Sequence, residues 1–153
     1  MKIYAVIDTN VIVSALLSRH HDSATVKVLN YLYDRVIVPV YNNEIIEEYV
    51  AVLKRPKFNF SEETISAVID AIREGGIDSR RIGSNEQFPD PKYIVFYEVA
   101  LATEDSFLVT GNTKHFPKKP FVVTPAEMLH IIQEMNSPNH GLLSEPSVCY
   151  GKK

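Results

Sequence analysis

This sequence predicts an α/β layered domain on a mostly parallel sheet, for three reasons. Four short runs rich in β-branched residues, at 3–7 (IYAVI), 35–39 (RVIVP), 106–110 (SFLVT) and 121–124 (FVVT), are largely apolar, as strands buried on both faces are. Segments of helical periodicity separate most of them. Helix start and stop signals fall at the junctions, so the order reads strand, helices, strand, helices, strand, strand, helix.

Each element has its own justification. The first strand runs into Asp8-Thr9-Asn10, and VIVSALL and TVKVLNYLY follow as two core-type helices. After the second strand, Ile45, Ile46, Tyr49, Val50 and Leu53 in NNEIIEEYVAVLK keep helix spacing. SEETISAVIDAIREGG opens on Ser61 as an N-cap and stops at Gly75-Gly76. DPKYIVFYEVALA places Asp90 at a cap and Pro91 at the first helical position. TPAEMLHIIQEM begins with Thr124, Pro125 and Glu127 spaced as a capping box. The domain is expected over residues 1–135, followed by a Pro/Ser/Gly-rich, mobile tail at 136–153 with Leu142 and Leu143 as docking points.

Composition narrows the function. A 153-residue chain that is 45% hydrophobic suits one domain with an ordinary core. The lone Cys149 excludes an intrachain disulfide framework and a CxxC or Cys/His zinc site, which points to a reducing compartment. No apolar run nears the roughly 18–20 residues of a membrane span, and the N-terminus lacks a signal-peptide layout, so a cytoplasmic protein is expected. A net charge of −3 opposes a surface that grips nucleic acid everywhere, while leaving room for a local basic patch. The chain has no GxGxxG and no GxxxxGK[ST], which sets aside dinucleotide and P-loop readings. Asn10 stands where a haloacid-dehalogenase-type phosphatase needs a second aspartate, and no other strand ends in the aspartate a receiver domain needs.

Ligands of parallel α/β sheets collect beyond the carboxyl ends of the strands. Asp8-Thr9-Asn10, Thr110-Gly111-Asn112 and Thr124 all emerge there. Asp8 has two readings, a cap for the following helix or a ligand. Of the glutamates after the second strand, Glu44 and Glu47 point furthest from the apolar face, whereas Glu48 sits beside Val52 and faces inward. Asp90 likewise is either a cap or a ligand. Carboxylates converging from separate elements repel one another unless a hard cation neutralises them, and oxygen ligands without a thiolate set favour Mg²⁺ or Mn²⁺. Glu98 and Asp105 are read as surface residues. Lys54-Arg55-Pro56-Lys57 and Lys114-His115-Phe116-Pro117-Lys118-Lys119 form two local basic clusters, each with an aromatic neighbour, Phe58 or Phe116, on which a base can stack.

The segments IDTNV, EEYVAVLKRPKF, DPKYIVFYEVALA, LVTGNTKHFP and FVVTPAEML, in this order across residues 2–132, resemble PIN-domain proteins of the VapC-like kind, the toxins of toxin–antitoxin pairs. The resemblance implies a three-layer α/β/α sandwich with a central twisted sheet and an Mg²⁺- or Mn²⁺-dependent endoribonuclease. It places the first acid of the pocket on Asp8 and the second on Glu48. Tyr93 and Asn112 fall where the family keeps acids, so Asp90 becomes the third candidate ligand. Asp8, Glu48 and Asp90 are then the catalytic and metal set. Thr9, Asn10, Ser14 and Asn112 orient ligands or water, and Lys54, Arg55, Lys57, Lys114 and His115 meet RNA. The resemblance further implies a cognate antitoxin, which SALLS and TVKVLNYLY could accommodate, and a homodimer or higher oligomer. A different reading is a PIN fold that has lost catalysis and holds RNA or an antitoxin without cutting.

Overall fold

The structure, a computed structural model, describes residues 2–136. The expected tail beyond them, with Leu142, Leu143 and Cys149, lies outside the described residues. Five strands form one sheet: β1 (Ile3–Ile7), β2 (Ile37–Tyr41), β3 (Ile77–Asp78), β4 (Ser106–Val109) and β5 (Val122–Val123). Their order is β3-β2-β1-β4-β5 and every neighbouring pair is parallel. All residues of β2 and β4 are buried, which requires cover on both faces and so the three-layer sandwich.

Six helices supply that cover: α1 (Thr9–Leu17), α2 (Ala24–Tyr33), α3 (Asn43–Leu53), α4 (Glu62–Gly75), α5 (Ile94–Ala102) and α6 (Pro125–Met135). Helix α5 packs on β1, β2 and β4, while α2 and α4 pack on β2 and α6 packs on α2. The expected caps form. Ser61 accepts from the Thr64 amide, and Thr124 and Glu127 exchange hydrogen bonds of 2.8 and 3.1 Å in a capping box. On α3 the buried residues are Ile45, Ile46, Tyr49, Val52 and Leu53, with Val50 only partly buried.

Two differences from the sequence reading have local causes. The second strand begins at Ile37 because Arg35 has φ 63° and, through its amide bond to the Leu32 carbonyl at 3.1 Å, closes the turn that ends α2. Strand β3 was not expected: two exposed residues carry too little pattern to announce a strand. It pairs only with Val40 and Tyr41, beyond Pro39, whose missing N–H limits the ladder. Gly76 joins α4 to β3 there. A Cβ at this position would stand 2.3 Å from the Pro39 carbonyl oxygen and 2.5 Å from that of Ile72, so only glycine fits.

The connections from β1 run outward one way through β2 to β3, and the other way through β4 to β5. The switch point therefore lies between β1 and β4, where the loops diverge and leave a crevice at the strands' carboxyl ends.

Candidate active site

Asp8 sits at that switch point. The parallel register pairs Ile7 with Val109, which puts Asp8 beside Thr110, and the Asp8 amide continues the ladder to the Val109 carbonyl at 2.9 Å. Asp8 is 2% exposed, and its side chain makes no hydrogen bond of capping geometry to α1, although the Thr9 and Asn10 backbone amides are near enough to favour its charged form. Its Oδ2 accepts a hydrogen bond of 2.8 Å from the Thr110 hydroxyl, whose oxygen in turn accepts from the Asn112 amide at 3.1 Å. Asn10 ties the two loops together by accepting from the Gly111 amide at 3.1 Å. Burial pushes the Asp8 carboxyl above the usual carboxylate range, and the Thr110 hydroxyl is the largest influence pulling it back. Directly beneath, Tyr49 donates its hydroxyl to the Ile7 carbonyl, and burial, with the Asp8 charge added, keeps that phenol protonated.

Helix α3 brings Glu48 to the same place. Glu44 and Glu47 are exposed, whereas Glu48 is half-buried and, among the described residues, makes neither a hydrogen bond nor an ion pair. Asp8 and Glu48 line one open cleft of about 610 Å³, together with Thr9, Asn10 and Ser14 from α1 and its start. The Thr9 hydroxyl is buried there without a partner. Arg55, Phe58, Lys92 and Tyr93 complete the polar and aromatic parts of the wall.

The other expected residues are placed as follows. Asp90 caps a 3₁₀ turn: its Oδ1 accepts from the Lys92 amide at 3.0 Å, its Oδ2 lies 3.9 Å from Lys92 Nζ, and it is not among the residues lining the cleft. Asn112 is half-buried, with Nδ2 3.1 Å from His115 Nε2. The His115 ring lies on Tyr93, centroids 4.4 Å apart, and its Nδ1 is buried without a partner. Lys54, Lys57 and Lys114 are exposed and do not line the cleft; Lys57 sits over the Phe58 ring at 5.1 Å.

A comparison with protein families then decides what kind of domain this is: the PIN domain family matches residues 4–114. The chain belongs to the PIN domain family. No curated protein and no solved structure matches it. PIN domains are generally nucleases, and those nucleases typically use divalent metals.

This PIN domain departs from the sequence expectation at two residues. Phe116 cannot serve as a stacking platform, because it is buried at 6% exposure, edge-on to Phe88 and Tyr93. Glu98 is not a surface residue. It is 7% exposed, takes Arg81 Nε and Nη2 at 2.8 and 2.7 Å and the Ser84 amide at 2.8 Å, and so pins the irregular segment 79–90 to α5, while Arg81 Nη1 reaches Glu44 at 2.7 Å. Helix periodicity alone cannot anticipate a buried acid whose partner comes from a loop.

As for a metal in the PIN domain, among the described residues no three His, Cys, Asp or Glu side chains gather closely enough to hold an ion. Two carboxylates and the unpartnered Thr9 hydroxyl nevertheless share the cleft, and Mg²⁺ is commonly held by one or two carboxylates while retaining waters. The donor set therefore fits a single hydrated ion. Two contributions were not assigned from the sequence: the bond from Thr110, a residue expected at this sheet edge, to Asp8, and the place of Lys92 in the cleft wall. The bond could have been found from the adjacency of the first and third strands, since in a parallel sheet the residue after one strand flanks the residue after its neighbour. Lys92 gave no signal beyond lying between Pro91 and Tyr93.

Proposed function

We propose that this PIN domain is an Mg²⁺- or Mn²⁺-dependent endoribonuclease, acting in the cytoplasm as the toxin of a toxin–antitoxin pair. The single observation that supports hydrolysis is the sharing of one cleft by a buried carboxyl whose proton affinity is raised and a second carboxylate without a partner. Asp8 and Glu48 would hold the ion, which when bound supplies a water nucleophile and charge stabilisation at phosphorus. The chain's own part is orientation. Thr110 fixes one Asp8 oxygen, Asn112 positions Thr110 through its backbone amide, and Asn10 locks the β1 and β4 loops in register. Ser14, 3.3 Å from the Thr25 hydroxyl, can hold a water at the rim. Arg55 offsets the charge of the strand entering the cleft, and Phe58 offers a ring edge to a base. The antitoxin partner and the oligomer rest on likeness to VapC-like proteins in the segments quoted above, and Asp90 stays a cap in this reading.

Absence of a three-acid group among the described residues favours a second reading, a PIN fold that holds RNA or an antitoxin without cutting. The two separate in one experiment. The purified protein is incubated with structured and single-stranded RNAs and Mn²⁺ or Mg²⁺, with and without EDTA, beside Asp8→Ala. Cleavage that needs both the ion and Asp8 supports the nuclease. Cleavage surviving chelator and substitution belongs to a contaminant and overturns it, and no cleavage under any metal selects the binding module. Growth arrest on expression, relieved by Asp8→Ala and by a small protein from an adjoining reading frame, tests the toxin role.

A further inference from the structure

The charges around the cleft point to how a strand is held. Alongside Asp8 and Glu48, the wall carries two cations, Arg55 at the end of α3 and Lys92 on the 3₁₀ turn before α5. The Arg55 side chain makes no ion pair or hydrogen bond among the described residues. Lys92 lies over the Tyr93 ring at 5.1 Å, and its one ion pair among the described residues is to half-exposed Asp90 at 3.9 Å, a separation and exposure at which an ion pair is weak. The formal charge of the wall thus cancels before any ion enters. Four converging carboxylates would repel a phosphodiester until metal neutralised them; this wall does not.

The surroundings give the path a direction. Across Glu48 and Lys92 the surface opens into a second groove lined by Glu44, Glu47 and Arg81; Arg81 is already paired with Glu44 and Glu98, so the groove keeps an acidic excess that disfavours a polyanion. On the other side lie Arg55, Phe58 and, just outside, exposed Lys54 and Lys57. Tyr93 and Phe58 also line the cleft, the first against the His115 ring and the second stacked on Phe60, so their role for a strand is apolar contact at the ring edges.

We propose that Arg55 and Lys92 grip the phosphates of single-stranded RNA directly, with no divalent ion, so that binding and metal loading are separate events in this cleft. This rests on reading the cleft as a nucleic-acid site. The strand enters from the 54–58 side and ends its contacts at Lys92, where the acidic groove begins.

The test is fluorescence anisotropy of a fluorescein-labelled hexauridylate with the full chain in EDTA, across a salt series. The wild-type protein binds in EDTA. Arg55→Gln and Lys92→Gln each weaken binding roughly tenfold and make the slope of log affinity against log salt shallower by about 0.7, the share of one phosphate contact in a single strand. Glu48→Gln, which removes a negative charge, tightens metal-free binding several-fold, and Lys27→Gln, exposed on α2 and outside the cleft, changes nothing. Circular dichroism confirms that the variants fold. Binding that appears only with Mg²⁺, or an unchanged affinity and slope in both cation variants, overturns the proposal. Cleavage with Mn²⁺ is scored separately: a protein that cuts but does not bind in EDTA refutes the direct grip alone, and one that binds in EDTA but never cuts refutes the nuclease alone.

Discussion

Thr110→Val tests whether Asp8 is held as a charged group. The substitution keeps the shape and deletes one hydroxyl, which donates to Asp8 Oδ2 at 2.8 Å and accepts from the Asn112 amide at 3.1 Å. A hydrogen bond to a charged group contributes about 1.5–3 kcal/mol and a neutral one about 1 kcal/mol, so the loss should total roughly 2–4 kcal/mol. For a domain of this size that lowers Tm by roughly 5–15 °C. The pH dependence has a definite sign. Burial raises the Asp8 carboxyl above its ordinary 3.8, and the hydroxyl partly opposes that rise by favouring the charged form. The Thr110 contribution is therefore full above the folded-state pKa of Asp8 and declines as pH falls through it, because a protonated carboxyl gains less from the donor. Differential scanning calorimetry at neutral and acidic pH, repeated in an Asp8→Asn background, measures both effects. The cost should shrink at acidic pH, and by at least about 1 kcal/mol in the double-mutant cycle. An equal cost at both pH values and strict additivity with Asp8→Asn would refute the argument.

Three further outcomes follow from the same contacts. Asp8→Asn removes a buried charge that the fold serves poorly, so it should raise Tm at neutral pH while lowering RNA cleavage by at least about 100-fold; since the folded carboxyl binds its proton more tightly than the unfolded one, the gain in Tm should fade as pH drops through the folded pKa. Glu98→Ala strands Arg81 and the Ser84 amide, at about 2–3 kcal/mol after allowing for the partial exposure of Arg81, and limited proteolysis should then cut within residues 79–90. Gly76→Ala forces a methyl against two carbonyl oxygens and should cost about 2–3 kcal/mol in urea denaturation.

The layered fold was legible because, among the described residues, its three longer strands and six helices repeat a buried pattern over enough residues to be read locally, and two-residue β5 lies within the apolar run FVVT. Capping at Ser61 and Thr124 was legible for the same reason, since each signal lies within four residues of chain. Glu48 was separable from Glu44 and Glu47 because helix phase orders neighbouring side chains about the axis. What escaped was non-local. Strand β3 exists through the docking of Gly76 against Pro39, Glu98 is buried through a loop arginine, and Phe116 is drawn inward by Phe88 and Tyr93. None of these partners is near in sequence, so no periodicity reports them.

The two buried acids, Asp8 and Glu98, separate a structural carboxylate from a poised one. Exposure does not distinguish them, at 2% and 7%. Partners do. Glu98 receives a guanidinium and a backbone amide, three donors in all, two of them from the Arg81 cation, and this ties down a loop. Asp8, at the crevice where the sheet's connections part, has the neutral Thr110 hydroxyl and the nearby Thr9 and Asn10 backbone amides, and no ion pair among the described residues. A buried carboxylate costs free energy in proportion to the donors it lacks, and a fold that can surround one acid with partners has no packing reason to leave the other short of a cation. Asp8 thus keeps its raised proton affinity in the cleft it lines with Glu48, Arg55 and Lys92, which is why Asp8→Asn should stabilise the fold where Glu98→Ala destabilises it.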